Sequence, residues 1–159
     1  MMHTWFTCKI RYEKTLENGM EKKVTEPYLV DALSFTEAEA RIIEEMTPYI
    51  SGEFTVADVT RARYSELFYA DDAMSDRWYK VKLGFITLDE KSGAEKKTYT
   101  NVLVQAADLR DAVKRLDEGM KGSMADYIIV SVAETAIMDV YPYEADPDVK
   151  PEFADPLSE

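Results

Sequence analysis

Two stretches decide how this chain reads: Trp5-Phe6-Thr7-Cys8-Lys9-Ile10-Arg11-Tyr12 and Trp78-Tyr79-Lys80-Val81-Lys82-Leu83-Gly84-Phe85. Each alternates with a period of two, the mark of a half-buried strand. In the first, Phe6, Cys8, Ile10 and Tyr12 share one face, and Trp5, Thr7, Lys9 and Arg11 the other. In the second, Tyr79, Val81, Leu83 and Phe85 share one face, opposite Trp78, Lys80 and Lys82. The stretches also match each other, tryptophan over tryptophan, at an offset of 73 residues.

The match continues outward. Gly19-Met20-Glu21-Lys22-Lys23 lies over Gly93-Ala94-Glu95-Lys96-Lys97, and Tyr28-Leu29-Val30-Asp31-Ala32 over Val102-Leu103-Val104-Gln105-Ala106. Phe54-Thr55-Val56-Ala57-Asp58-Val59 lies over Tyr127-Ile128-Ile129-Val130-Ser131-Val132, again at 73. Between these points the offset is 74, because the first turn is one residue longer in the second copy. The chain thus reads as two copies of one unit, 5–69 and 78–142, joined by the polar stretch from Tyr69 to Arg77.

Each copy reads as β-β-α-β. Asn18-Gly19 and Ser92-Gly93 supply hairpin turns, where glycine accepts positive φ. A helix follows the second strand. Its first-copy start fits either Ser34-x-x-Glu37 or Thr36-x-x-Glu39 as a capping box, and Asp108 is the matching cap in the second. Leu109, Ala112, Val113, Leu116 and Met120 then form one apolar stripe. The third strand, 54–68 and 127–141, is longer than strands usually are, so a bend or bulge is expected near its middle. A copy alone would bury a marginal core. The expected fold is therefore α+β: a single domain over 1–141, its copies sharing one mostly antiparallel sheet with two helices.

From Pro142 to Glu159 the composition changes to proline and acid, which predicts an extended or disordered tail. The tail is either a solvating segment or an acidic arm that docks on a neighbour through Phe153 and Leu157.

Across its 159 residues the chain has 31 acidic against 19 basic side chains, a formal charge of −12. Phosphate contacts need a basic surface, so general nucleic-acid binding is disfavoured, while a negative field favours basic partners. No apolar run is long enough to span a membrane. Met1-Met2-His3-Thr4-Trp5 lacks the features of a secretory signal. With a single cysteine there is no internal disulfide, and a reducing cytoplasm is expected.

Catalytic, metal and cofactor constellations are not expected. The one histidine, His3, reads as part of a mobile terminus, and Cys8 as core, since a nucleophile needs a neighbour that lowers its pKa. Asp71-Asp72 reads as solvated linker rather than cation site. The positive lead is the less apolar face of each first strand. Trp5 with Lys9 and Arg11, and Trp78 with Lys80 and Lys82, set an aromatic ring beside cations, a pairing that can stack a base and hold its phosphate. The alternative is that both rings cap the sheet or bury at an interface.

The stretch from Lys22 to Arg41, most distinctively Tyr28-Leu29-Val30-Asp31-Ala32-Leu33-Ser34-Phe35-Thr36-Glu37-Ala38-Glu39-Ala40-Arg41, resembles a domain-of-unknown-function family of Bacteroidetes genomes and their phages. The resemblance covers the chain to about Tyr141 and implies a bacterial or phage cytoplasmic origin, with no activity or site residues attached. The functional expectation is a non-enzymatic interaction or accessory protein, phage-linked in origin, that binds a protein partner or further copies of itself. The alternative is a small-ligand or nucleotide-binding, sequestering protein using the Trp/Lys faces; an enzyme comes third.

Overall fold

A computed structural model describes residues 3–143. Two helices and eight strands make an α+β fold with two four-stranded mixed sheets. By packing, the chain divides into two compact units: unit 1 holds the residues up to Arg63 and those from Ala136 on, and unit 2 holds Tyr64–Thr135.

In unit 1, β1 (Trp5–Thr15) and β2 (Glu21–Asp31) form a hairpin, with Gly19 at φ 82° in its turn. β3 (Phe54–Ala62) pairs antiparallel with the far edge of β1. Ala57 has no partner in that ladder, because Lys9 faces Asp58 and the next residue, Ile10, faces Val56. The short β8 (Val140–Tyr141) adds parallel to β2, giving the order β3-β1-β2-β8. In unit 2, β5 (Arg77–Leu88) and β6 (Glu95–Ala106) form the hairpin, β7 (Tyr127–Glu134) flanks β5, and β4 (Glu66–Phe68) adds parallel to β6. Its order, β7-β5-β6-β4, follows the same plan, and Val130 is unpaired just as Ala57 is.

The helices are α1 (Phe35–Met46) and α2 (Leu109–Gly119). Of the two possible starts of α1 the structure uses Ser34, whose Oγ accepts the Glu37 N–H at 3.1 Å while the Glu37 carboxylate accepts the Leu33 N–H. Asp108 and Asp111 repeat this at α2. Each helix covers the apolar face of its sheet. The core of unit 1 gathers Phe6, Cys8, Ile10, Val30, Ala38, Ile42 and Met46; that of unit 2 gathers Tyr79, Val81, Leu83, Val102, Val104, Ala112 and Leu116. These are the strand faces that the alternation marks as apolar.

Two expectations are corrected. The copies do not share one sheet; each unit has its own mixed sheet of four strands, mostly antiparallel as expected. The long third strand does not merely bend, but breaks. β3 stops at Ala62 because its partner β1 starts at Trp5, opposite it, and β7 stops at Glu134, opposite Tyr79 near the start of β5. Past each break the chain is still rich in strand formers but has lost its neighbour, so it pairs elsewhere: β4 with β6, and β8 with β2.

Arginines on the helices fasten these late segments. Arg41 hydrogen-bonds the carbonyls of Asp31, Tyr141 and Pro142, and its guanidinium lies 4.7 Å from the Tyr143 ring centroid. Tyr143 donates its hydroxyl proton to Glu37. Arg115 binds Asp111 and Asp72, each at 2.8 Å.

Candidate functional site

The tryptophans expected to form stacking faces are buried: Trp5 is 3% exposed and Trp78 2%. His3 stacks on Trp5 with centroids 5.1 Å apart, and Tyr69 meets Trp78 edge-on at 5.8 Å. Neither ring presents an open face to a ligand. Lys9, Arg11 and Lys80 are exposed and Lys82 is half-buried, so the cations lie on the surface without the tryptophans. His3 lies beside the buried Asp31 carboxylate, with its Nδ1 2.5 Å from it. Asp72 is engaged by Ser75 and Arg115. No group of three or more metal-ligating side chains occurs among the described residues. Phe153 and Leu157 lie outside the described residues.

Cys8 is fully buried. Burial first, and Glu39 second, push its thiol up to about 12, which leaves it without a reactive thiolate.

A different group of side chains comes together at the open end of the helix-covered face of unit 1. Tyr12 continues the apolar face of β1 beyond Ile10; Glu26 and Tyr28 stand beside it on β2, opposite Ile10 and Cys8. Tyr12 donates its hydroxyl proton to Glu26 at 2.6 Å, and Lys14 lies 3.9 Å from the same carboxylate. β8 then delivers Tyr141 beside Tyr28, rings near-parallel with centroids 6.1 Å apart. Glu45, on the last turn of α1, Tyr49, just beyond it, and Asp139, just before β8, complete the cluster. Tyr12, Tyr28, Tyr141, Glu26 and Glu45 are half-buried, and Tyr49 is 78% exposed.

Burial and carboxylates set the electrostatics of the cluster. Burial raises the Tyr12 hydroxyl to about 12, and the hydrogen bond to Glu26 adds to it. Tyr28 is raised to about 12 by burial, then by Glu26 and Asp139. Tyr141 is raised by burial, then by Asp139, Tyr28, Glu45 and Tyr49. Burial is the first cause at all three hydroxyls, and the neighbouring carboxylates add to it, so the tyrosines stay hydroxylated at neutral pH; Lys14 offsets part of the charge of Glu26.

Unit 2 provides the internal comparison. The strand registers place Phe85 where unit 1 has Tyr12, Val102 where it has Tyr28, and Phe68 where it has Tyr141. Gly119 takes the place of Glu45, and a β-carbon there would lie 2.6 Å from the Phe68 ring. The three tyrosine positions are thus apolar in unit 2, and Thr100 and Gly119 stand there where unit 1 has Glu26 and Glu45. Unit 2 has tyrosine–carboxylate pairs of its own at neighbouring positions: Tyr127, opposite Phe85 on β7, with Asp117 at 3.0 Å, and Tyr79 with Glu134 at 3.3 Å. Core packing does not require the three tyrosine hydroxyls or carboxylates at the places of Glu26 and Glu45, because unit 2 packs without them; at the place of Asp139 unit 2 keeps an acid, Glu66. The signal lay in the differences between the two units at matching positions (Tyr12 against Phe85, Tyr28 against Val102).

Chemically, the arrangement suits a cation. Aromatic faces attract it through their quadrupoles, and Glu26, Glu45 and Asp139 supply ion pairs and acceptors.

Comparison with known proteins adds a family and no activity. No curated protein and no solved structure matches the chain. Residues 4–143 match the profile of a family described as a domain of unknown function, DUF4494, and the chain belongs to that family.

Proposed function

We propose that this is a binding protein without enzymatic activity, and that unit 1 docks a basic, Arg- or Lys-bearing segment of a protein partner on the Tyr12–Glu26–Tyr28–Tyr141 cluster. The observation that carries the proposal is the contrast between the units. Where unit 2 closes its sheet with Phe85, Val102 and Phe68, unit 1 sets tyrosines among Glu26, Glu45 and Asp139. Setting tyrosines at three positions that are apolar in unit 2, with Glu26 and Glu45 beside them, contributes little to a core but makes a surface suited to cations. The formal charge of −12 adds a long-range field of the same sign, which speeds encounter with a basic partner.

The same reading treats the chain as two copies of one β-β-α-β unit that have diverged. It is supported by the shared strand plan, the unpaired Ala57 and Val130 at matching positions, and the matching helix caps. A cytoplasmic setting accords with a single, buried cysteine that has no disulfide partner in the chain. The bacterial or phage origin rests on the resemblance alone.

The test is peptide selection on the intact chain. Peptides recovered on the wild type are expected to be enriched in Arg and Lys, and to lose about tenfold in affinity, roughly 1.4 kcal/mol, against a Glu26→Gln/Glu45→Gln variant. Neutral or acidic peptides, or affinity indifferent to the two substitutions, would sink the proposal.

A further inference from the structure

The outer face of unit 2, the side of its sheet turned away from α2, carries an open apolar row. Ile128 on β7, Gly84 on β5 and Tyr99 on β6 stand side by side. A β-carbon on Gly84 would meet Ile128 Cγ1 at 3.2 Å and Tyr99 Cε1 at 3.3 Å, so glycine lets the two side chains close over the strand. Tyr99 is 53% exposed and Ile128 40%. Ile86 and the exposed Leu88 continue the apolar surface along β5 toward its turn. The matching row of unit 1 is Thr55, Arg11 and Thr25, with no apolar side chain in it.

The charges on this face are sorted to its two ends. On one side of the row stand Lys82, its Nζ 4.8 Å from the Tyr99 ring centroid, and Lys80. Ser131 and Asn101 flank Lys82, and Ala133 and Leu103 flank Lys80, so no carboxylate shares their rows. On the other side are Glu95, opposite Leu88, and Asp126, whose carbonyl accepts the Ile86 N–H, with Lys97 opposite Ile86. Glu95, Asp126 and Lys80 are exposed. The face is thus basic at one end, apolar in the middle and acidic on balance at the other.

Such a face complements itself. A two-fold axis along the Gly84 row reverses the strands and lays apolar row on apolar row. It sets Lys80 and Lys82 over the end that holds Glu95 and Asp126 in the other copy. We infer that unit 2 pairs through this face with unit 2 of a second copy of the chain. A nucleic acid would meet Glu95 and Asp126 with like charge, and an acidic peptide would do the same. From Lys80 to Leu88 the strip runs about 26 Å, and across three strands about 14 Å. That is on the order of 360 Å² per copy, below the ~800 Å² of a standard interface, so the pair is weak and reversible. This contact is independent of the basic partner of unit 1.

The experiment is sedimentation of the intact chain from micromolar to millimolar concentration. The wild type is expected to show a monomer–dimer equilibrium, weakened about tenfold or more in Tyr99→Thr/Ile128→Thr, which copies the side chains of unit 1. Lys80→Glu/Lys82→Glu and Glu95→Lys/Asp126→Lys are each expected to lose self-association with unchanged circular dichroism. Mixed together, these two charge variants are expected to pair as the wild type does, because each end then meets its opposite. Glu26→Gln/Glu45→Gln is expected to dimerise normally. A wild type that stays monomeric, charge variants that dimerise alone or fail to pair when mixed, or a dimer lost in Glu26→Gln/Glu45→Gln would overturn the inference.

Discussion

At the scale of single residues, burial has separate consequences for thiol, histidine and hydroxyls. Cys8 is inert because the core that α1 closes over β1 leaves its thiolate unsolvated. His3 is held because Asp31, at the end of β2, is itself buried and needs donors: it accepts from the Thr4 N–H as well as standing beside the imidazole. The tyrosines of the candidate site carry a pH consequence. Tyr12 and Tyr28 move from the ordinary 10 to about 12 in the folded chain. An acid whose folded pKa lies above its unfolded one favours the fold below the unfolded value and loses that contribution as the pH rises through the folded one. Stability is therefore expected to fall between about pH 10 and 12, with Tyr12→Phe and Tyr28→Phe reducing the slope. Denaturant midpoints across that range, alongside the tyrosinate absorbance, measure it; a flat profile would contradict the buried hydroxyls.

At the scale of elements, the alternating pattern was a reliable guide to faces and a poor guide to partners. The faces of β1 and β5, the turn at Gly19 and the cap at Asp108 were legible because each depends on residues near in sequence. The switch of β4 and β8 was not legible. The runs from 54 to 68 and from 127 to 141 are rich in strand formers throughout, and nothing within them records where the neighbouring strand ends. For the same reason the candidate site was only half visible. Tyr12 and Tyr28 come from one hairpin, but Tyr141 joins them only because β8 pairs with β2. Gly119 tests the packing that distinguishes the units. Placing alanine there drives a β-carbon to 2.6 Å from the Phe68 ring on β4. Gly119→Ala is expected to cost about 1–3 kcal/mol, as overpacking usually does. Chemical denaturation checks it, and an unchanged midpoint would mean that Phe68 moves aside freely.

At the scale of the molecule, the two units keep one strand plan and spend it differently. Unit 1 turns the open end of its helix-covered face into an aromatic surface flanked by carboxylates, whereas unit 2 fills that place with apolar side chains and carries its exposed apolar strip on the other face. On the proposed reading, the formal charge of −12 favours a basic partner and the tyrosines are the place where it would dock. The most direct measurement is a two-dimensional amide NMR titration of the intact chain with a short arginine-rich peptide. Shifts concentrated at Glu26, Tyr28, Glu45 and Tyr141, with Phe68, Val102 and Phe85 unmoved, are the predicted result. Shifts spread evenly over the acidic surface of both units, or none at the tyrosines, would contradict the account.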